Sequence, residues 1–255
     1  MKPTIPLSVV VPAYRRIYET ERLLESLAAS DVRCEIVLVD DASPEPIGPA
    51  VERFRGELDL VVLRLPANRG PAAARNAGMR RASHDIIAFT DNDCVVTPTW
   101  ARRMHRYMQD APPRIAGVGG RVLALGDDVL SRYYTYHKIL DPWLDHGRWL
   151  YVVTANAAFR RSALQEVGGF DADIRVPGGE DPGLCFKLLE RGYRLEYHAE
   201  AVVFHDYRPS MRDFVRTFFR YGAGCRHQAE RYAGKEVRAR AERAVGFGGR
   251  RESAE

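Results

Sequence analysis

Short apolar runs alternate with helix-like segments through the first half of this chain. In chain order, the runs and the segments between them are residues 7–11, 18–29, 34–39, 48–54, 58–63, 71–81 and 85–89. Strands that are joined by helical crossovers pair in parallel, and strands covered on both faces are apolar almost throughout. The alternation therefore predicts an α/β fold, with a Rossmann-like, mostly parallel sheet flanked by helices.

The second half of the chain is less regular, although its composition is equally globular. With 255 residues and 45% hydrophobic content, the chain is long enough for one large α/β domain. An apolar stretch at residues 115–125 and a Tyr- and Trp-bearing region at residues 133–151 indicate mixed strands and loops. We expect one domain over residues 1–205, with a nucleotide-binding half to about residue 110 and an acceptor-side half after it.

Targeting and cysteine signals predict a cytoplasmic protein. The first residues lead directly into the apolar run at 7–11, without the long apolar core of a secretory signal. No apolar stretch approaches the roughly 18 residues that a membrane span needs. The four cysteines lie far apart and form no CxxC pair, so free thiols in a reducing compartment explain them better than disulfides or zinc.

The excess of positive charge belongs to the C-terminal part of the chain. The formal net charge is +4, and residues 206–255 hold twelve Arg or Lys against seven Asp or Glu. Four arginines recur at every fourth position among aromatic side chains: Arg208, Arg212, Arg216 and Arg220. This predicts a basic amphipathic helix within residues 206–232, which either packs on the domain or lies on an anionic membrane surface.

Residues 233–255 mix Ala, Arg, Glu and Gly, which predicts a weakly ordered tail. No nucleic-acid recognition motif accompanies the arginines, and the rest of the chain is nearly neutral. We therefore expect no nucleic-acid partner.

Two carboxylates, Asp91 and Asp93, follow the fourth apolar run with Asn92 between them. An open α/β sheet binds its ligands at the carboxyl ends of its strands. Carboxylates spaced in this way can hold Mg²⁺ or Mn²⁺ and leave positions for the oxygens of a diphosphate. Taken alone, the segment is equally compatible with a solvated Asp-Asn-Asp turn.

Two common nucleotide-binding classes lose support after the first strand. Residues 12–16 read Pro-Ala-Tyr-Arg-Arg, where a dinucleotide-binding fold would carry its G-x-G-x-x-G turn. The sequence also lacks a Walker-type G-x-x-x-x-G-K-[ST] loop. The dehydrogenase and P-loop interpretations are therefore disfavoured.

Five separated segments, taken in order, resemble family 2 glycosyltransferases, which have the GT-A fold. The segments are residues 9–14 (VVVPAY), 39–43 (VDDAS), 68–78 (NRG through ARNAG), 91–93 (DND) and 179–181 (GED). The resemblance covers about residues 7–223. It implies an inverting, metal-dependent, hexosyltransferase-like enzyme that moves a sugar from a nucleotide-diphosphate sugar to an acceptor hydroxyl. Its setting would be glycan, polysaccharide or glycolipid synthesis for the cell envelope.

The resemblance also assigns a donor site. Tyr14, with Pro12 and Ala13, would line the base, and Asp41 would read it by accepting a ring N–H. The donor residues implied are Pro12, Ala13, Tyr14, Asp41, Arg75, Asp91 and Asn92. Three alternatives stay open: Tyr14 as a half-buried rim aromatic, the segment after Asp41 as a plain turn, and Arg75 in a structural ion pair. Arg15 stands where many members carry Asn, which leaves the role of that side chain open.

The metal and the base follow from the same resemblance. Asp93 is the first expected ligand of Mn²⁺ or Mg²⁺ and Asp91 the second, with His205 completing the site. Asp181 is the expected catalytic base, and Glu180 supports it or binds the acceptor. Asp181 followed by Pro182 also matches a helix N-cap with Pro at the first helical position.

The acceptor side carries weaker signals. Asn156 could bond a sugar hydroxyl or be a buried structural residue, and Trp143 and Trp149 could stack on a sugar or fill the core. The acceptor itself, whether glycan, lipid-linked or small molecule, is not specified by the sequence. Two alternative functions remain compatible with such a sequence: a sugar-1-phosphate nucleotidyltransferase and a noncatalytic sugar-nucleotide-binding protein.

Overall fold

The computed structural model describes residues 2–145, 147–174, 178–207 and 210–231. The strands, in chain order, are β1 (Thr4–Ala13), β2 (Arg33–Asp40), β3 (Asp59–Arg64), β4 (Ile86–Phe89), β5 (Cys94–Val96), β6 (Ile115–Ala124), β7 (Trp143–Asp145), β8 (Arg148–Tyr151), β9 (Ala157–Arg160) and β10 (Arg194–His205). The helices are α1 (Ile17–Ala28), α2 (Ile47–Val51), α3 (Pro71–Arg81), α4 (Trp100–Asp110), α5 (Val129–Tyr136), α6 (Arg161–Glu166), α7 (Glu180–Glu190) and α8 (Met211–Arg231).

One large sheet organises the described residues. Its strand order is β3-β2-β1-β4-β9-β6-β10-β5, and β7 pairs with β8 separately. The first four strands of that order are parallel. Strands β9 and β5 are antiparallel to their neighbours, whereas β6 and β10 pair in parallel. The carboxyl ends of β1, β2, β3, β4 and β10 therefore lie along the same edge of the sheet.

Helices cover both faces of the sheet, as the continuous apolar runs predict. Alternate residues of β1 enter different cores: Val9 and Val11 pack with Leu23 of α1 and Trp100 of α4. Val10 packs on the other face with residues of α3 and α7. Each strand residue of this kind is removed from water whichever way its side chain points, so the strands are mostly apolar and a polar residue needs a partner, as Ser8 of β1 has in Glu35 of β2.

Most predicted elements of the first half are present, and one local expectation is wrong. The helix expected at residues 48–54 is split into α2, which buries Ile47 and Val51, and a 3₁₀ turn at Glu52–Gly56, which buries Phe54; 3₁₀ turns are frequent at the ends of α-helices. In the second half, a 3₁₀ turn at Thr154–Asn156 leads directly into β9. The short strand β5 was not predicted from the sequence.

The N-cap expected at Asp181 is also wrong. Helix α7 begins at Glu180 with Gly179 as its N-cap, so Asp181 and Pro182 are its second and third residues. Gly179 has a φ of 93°, in the left-handed region where a side chain is costly. This glycine turn lets the helix start two residues earlier than the Asp-Pro pair indicates. The side chain of Asp181 is thereby left for another partner.

Helix α8 lies against the rest of the fold. Phe214 and Phe218 contact the rings of Tyr133 and Tyr134 on α5, with centroids 5.2 to 6.3 Å apart. Gly224 packs so closely on the carbonyl of Gly178 that an added Cβ would overlap it. No helix within the described ranges is long and apolar enough to span a bilayer. The tail predicted for residues 233–255 lies outside the described residues.

Candidate active site

A cleft of about 490 Å³ opens at the carboxyl edge of the sheet. Its volume is in the range of small-molecule sites. The residues that line it come from the ends of β1 and β2, the start of α3, the loop after β4, the end of β10 and helix α8. Among them are Pro12, Ala13, Tyr14, Asp41, Arg75, Asp91, Asn92, Asp93 and His205. All the predicted donor and metal residues therefore meet at one place.

A buried arginine joins the two acidic motifs. Arg75, which is 4% exposed, donates from Nη2 to Asp91 Oδ1 at 2.7 Å and from Nη1 to Glu180 Oε1 at 3.2 Å. Burial alone would lower the pKa of Arg75, but the carboxylates of Asp91, Asp181 and Glu180 outweigh it and raise the pKa. The guanidinium is therefore a permanent positive charge between the loop after β4 and the start of α7.

Asp181 is held by Thr154, the first residue of the 3₁₀ turn that precedes β9. Thr154 donates from Oγ1 to Asp181 Oδ1 at 2.6 Å and from its backbone N–H to Oδ2 at 3.1 Å. Burial and the Glu180 charge raise the pKa of Asp181 to about 7, although Arg75 and Thr154 act in the opposite direction. A carboxyl group with a pKa near neutrality can accept a proton from a substrate hydroxyl.

Glu180 is engaged on both oxygens. Its Oε2 accepts the backbone N–H of Gly178 at 2.6 Å while Oε1 accepts from Arg75, and the residue is only 4% exposed. This placement favours the supporting role over acceptor binding.

Asp93 and His205 face each other where β10 ends beside β5. His205 Nε2 lies 3.4 Å from Asp93 Oδ1, and the His205 ring stacks on Tyr207 at 4.6 Å. Asp93 Oδ1 and His205 Nδ1 are buried and find no hydrogen-bond partner among the described residues. Buried polar atoms without a partner of this kind fit the ligands of a divalent cation. Cys94 completes a three-residue cluster with them.

Cys94 and Asp91 are less well placed than Asp93 and His205 to bind a metal ion. Burial raises the pKa of the Cys94 thiol well above its usual value, so it stays protonated and is a poor ligand for Mn²⁺ or Mg²⁺. Among the described residues, Asp91 does not belong to this cluster and instead forms an ion pair with Arg75. Arg16 contacts the second oxygen of Asp93, which sequence reasoning did not anticipate.

Asp41 and Asn92 make contacts inside the protein as well as lining the cleft. Asp41 accepts the backbone N–H groups of Arg69 at 2.9 Å and Gly70 at 2.8 Å, one on each oxygen. A carboxylate has about four acceptor positions, so a nucleotide base can still bond to it. Burial raises the pKa of Asp41 despite these bonds. Asn92 Nδ2 donates to Thr20 Oγ1 at 2.9 Å, which links the loop after β4 to α1.

Three residues considered for the acceptor side have packing roles. Asn156 is fully buried, accepts from the Trp100 indole at 2.7 Å and donates to the Arg121 and Ala201 carbonyls, so the structural alternative applies. Trp149 packs against Tyr197 with ring centroids 5.1 Å apart. Trp143 packs beside Leu150 and Phe186.

Sequence reasoning missed Thr154, Arg16 and the cleft face of α8. Thr154 is an ordinary threonine inside an apolar run, and nothing local indicates that it meets Asp181. The aromatic spacing of α8 predicts a packed face but not its location. Thr217, Arg220 and Tyr221 of that face line the cleft.

The fold and the site define an α/β protein with a carboxylate-lined cleft at the carboxyl edge of its sheet. Comparison with known proteins gives the family. The family model described as "Glycosyl transferase family 2" matches residues 8–168, and the chain belongs to this family. The resemblance inferred from the sequence motifs is thereby confirmed.

Several curated relatives are named glycosyltransferases. The "Pre-mycofactocin glycosyltransferase" of Mycobacterium tuberculosis (strain ATCC 25618 / H37Rv) is 34% identical over 238 residues, which is 90% of this chain and 48% of the relative. The "Validoxylamine A glucosyltransferase" of Streptomyces hygroscopicus subsp. jinggangensis (strain 5008) is 27% identical, over 75% of this chain and 48% of the relative. The chain thus spans about half the length of these two relatives.

Solved structures confirm the GT-A fold. A mannosyltransferase from Pyrobaculum calidifontis, in complex with GDP-Man and Mn²⁺, superposes with a TM-score of 0.67 at 21% identity, covering 96% of this chain and 76% of its own. Residues 1–349 of S. aureus TarS, in complex with UDP-GlcNAc, superpose with a TM-score of 0.64 at 17% identity, covering 94% of this chain and 70% of its own.

Proposed function

We propose that this chain is an inverting, metal-dependent glycosyltransferase that moves a sugar from a nucleotide-diphosphate donor to an acceptor hydroxyl in glycan, polysaccharide or glycolipid synthesis. The main support for this proposal is the pair of contacts that Arg75 makes with the two acidic motifs. One buried guanidinium contacts Asp91 in the predicted metal loop and Glu180 beside Asp181, the predicted base. The donor and acceptor halves of a transfer site are thereby held in one charged network.

Asp181 accepts the proton of the attacking hydroxyl. Its pKa of about 7 leaves a useful fraction ionised at neutral pH while keeping it basic enough to take a proton. Thr154 fixes the orientation of the carboxylate through two hydrogen bonds. Attack on the sugar carbon from the face opposite the departing diphosphate, assisted by this single carboxylate, inverts the anomeric configuration.

The donor is bound at the other end of the network. Asp93 and His205 would hold Mn²⁺ or Mg²⁺, with Asp91 as the second predicted carboxylate, and the imidazole favours Mn²⁺. When bound, the cation neutralises charge on the departing nucleoside diphosphate. Pro12, Ala13, Tyr14, Asp41 and Asn92 line the nucleotide end of the cleft. Neighbouring structures with GDP-Man and UDP-GlcNAc support a nucleotide sugar as the donor.

Calorimetric titration and turnover test these roles together. UDP, GDP and dTDP are titrated with and without Mn²⁺ into the wild type, Asp93→Ala and Asp181→Asn. We expect Asp93→Ala to lose metal-dependent binding, whereas Asp181→Asn keeps it and loses about 10²–10⁴-fold in turnover of the matching nucleotide sugar. Near-normal turnover by Asp181→Asn would reject the base assignment, and retained Mn²⁺-dependent binding by Asp93→Ala would reject the metal site.

We further propose peripheral contact of residues 208–232 with an anionic membrane. Met211, Val215 and Phe219 recur every fourth residue of α8 and are 63%, 46% and 76% exposed. Arg212 and Arg216 are exposed beside them. Such a helix face combines an apolar stripe with positive charge, as interfacial helices do.

Vesicle flotation checks this contact. We expect binding to phosphatidylglycerol vesicles but not to phosphatidylcholine vesicles, and a several-fold loss in Phe219→Ser. The matched control is Tyr18→Ser on α1, since Tyr18 is 71% exposed and lies outside α8. Flotation that is indifferent to anionic lipid, or equal loss in both variants, would contradict the proposal.

A further inference from the structure

A positive charge from the protein already lies at the predicted metal site. Arg16 Nη1 contacts Asp93 Oδ2, and the two side chains are only 14% and 16% exposed. The other oxygen, Asp93 Oδ1, faces His205 Nε2 at 3.4 Å and has no hydrogen-bond partner in the described part of the chain. One carboxylate therefore carries an arginine on one oxygen and an open coordination position on the other.

The backbone is shaped to aim Arg16 at this carboxylate. Arg15 and Arg16 are consecutive residues with φ angles of 61° and 57°, in the left-handed region that residues with a Cβ seldom adopt. Three contacts hold the turn. Ser43 Oγ accepts the Arg15 N–H at 2.8 Å, Thr20 Oγ1 donates to the Arg16 carbonyl at 2.8 Å, and Asn92 Nδ2 donates to Thr20 Oγ1 at 2.9 Å.

A divalent cation and a guanidinium compete for Asp93. Two cations on one carboxylate repel each other strongly where water is largely excluded, so the binding of a metal ion weakens the hold of Asp93 on Arg16. Arg16 also lines the cleft in which the donor would bind. A diphosphate offers the planar guanidinium a bidentate partner at least as good as the carboxylate that it leaves.

We propose that Arg16 is the resident counter-cation of the metal site, which releases Asp93 to an incoming divalent cation and binds the donor diphosphate instead. This inference rests on the proposed function, since it needs a metal ion and a nucleotide-diphosphate donor in the same cleft. The exchange of Arg16 between Asp93 and the diphosphate makes metal binding weak until the diphosphate is present, because only then does the displaced guanidinium regain a partner. By linkage, each ligand strengthens the binding of the other.

Arg15 provides a matched control for the experiment. It is adjacent, equally charged and in the same backbone region, but its guanidinium lies over the Tyr14 ring, 5.2 Å from the ring centroid, and not on Asp93. Removing the charge of Arg15 or of Arg16 changes the net charge equally. Only the second substitution frees an oxygen of Asp93.

The first measurement is the Mn²⁺ affinity of the protein without nucleotide. Mn²⁺ is titrated into the whole chain, and the electron paramagnetic resonance signal reports the free ion. We expect Arg16→Gln to bind Mn²⁺ about tenfold more tightly than the wild type, since a competing cation is gone. Arg15→Gln should stay within about twofold of the wild type, and Arg16→Lys should restore weak binding because it keeps the charge. Equal Mn²⁺ affinity in Arg16→Gln and Arg15→Gln would overturn the proposal.

The second measurement is the affinity for UDP and GDP at saturating Mn²⁺. Arg16→Gln should bind the preferred nucleotide about tenfold less tightly than the wild type, because a diphosphate ligand is lost. Tighter metal binding and weaker nucleotide binding in one variant are not the signature of general damage to the fold. An unchanged nucleotide affinity would reject the exchange.

The two proposals fail in different ways. If Asp93→Ala abolishes Mn²⁺-dependent nucleotide binding while both arginine variants match the wild type, the exchange is wrong and the metal-dependent function stands. If Asp93→Ala keeps that binding, the proposed metal site itself is wrong, and the exchange is wrong with it.

Discussion

At the scale of single residues, the proposed chemistry depends on how the protein sets the ionisation of Asp181. Burial and the Glu180 charge favour the protonated form, while Arg75 and two bonds from Thr154 favour the carboxylate. The balance leaves the pKa of Asp181 at about 7. A base of this kind loses activity as the pH falls through its pKa, because only the carboxylate accepts a proton.

Thr154→Val removes the hydroxyl that donates to Asp181 Oδ1 and keeps the shape of the side chain. A hydrogen bond donated to a carboxylate stabilises the ionised form and lowers the pKa of the carboxyl group. Loss of this bond should therefore raise the pKa of Asp181 by about one unit. We expect the acid limb of the kcat/KM profile to move to higher pH, with about fivefold lower activity at pH 7 and a smaller difference at pH 9.

Thr154→Ser, which keeps the hydroxyl, is the control and should show the wild-type profile. An unshifted acid limb in Thr154→Val would mean that Thr154 does not tune the base. A uniform loss at every pH would point to misplacement of Asp181 instead of a change in its ionisation.

At the scale of secondary-structure elements, α8 packs on the turn that precedes Glu180 and Asp181. Its Gly224 packs directly on Gly178, and Gln228 Nε2 donates to the Gly179 carbonyl at 2.9 Å. Both of these partners immediately precede Glu180 and Asp181. The same helix contributes Thr217, Arg220 and Tyr221 to the cleft, so its position affects both ends of the proposed transfer site.

Two glycines of α8 test this contact. A Cβ at Gly224 would overlap the Gly178 carbonyl, whereas a Cβ at Gly222 meets no atom within 4 Å among the described residues. We expect Gly224→Ala to lower the free energy of unfolding by about 1–3 kcal/mol and to reduce kcat, because α8 must move away from the turn that precedes Glu180 and Asp181.

Gly222→Ala should leave kcat unchanged and raise stability by about 0.5–1 kcal/mol, since alanine favours a helix over glycine. Chemical denaturation and turnover of the two variants provide the comparison. Similar behaviour of both substitutions would show that the close contact of α8 with Gly178 does not matter for the site.

At the scale of the whole molecule, the cleft is assembled from residues near both ends of the chain. Asp41 and Arg75 come from the parallel half of the sheet, while His205 and α8 come from the last quarter of the chain. A ligand in this cleft contacts both parts and therefore stabilises the folded state as a unit.

Thermal unfolding should report this stabilisation. At a nucleotide concentration of about 100 times Kd, with Mn²⁺, linkage adds about 2.7 kcal/mol, which corresponds to a rise in Tm of about 5–10 °C for a chain of this size. Asp93→Ala should show little of the rise. An equal rise with and without Mn²⁺ would contradict a metal-dependent site.

The sequence by itself determined the class of fold and the chemical content of the site. Strand runs that are buried on both faces are apolar almost throughout, so the local sequence pattern alone predicts the parallel half of the sheet. Residues placed directly after those strands, such as Tyr14, Asp41 and Asp91, must reach the carboxyl edge of the sheet because strand direction dictates it. Their meeting in one cleft was predictable for the same reason.

Only the tertiary structure decided which side chains touch across long sequence distances. Thr154 meets Asp181 and Arg16 meets Asp93 through contacts that no local periodicity encodes. The start of α7 at Glu180 depends on a left-handed Gly179, which the Asp-Pro pair conceals. The burial of Asn156 and the docking of α8 likewise depend on the packing of distant elements. Local patterns determine the elements and the strand ends, whereas ionisation and partner choice depend on what the completed fold places beside each group.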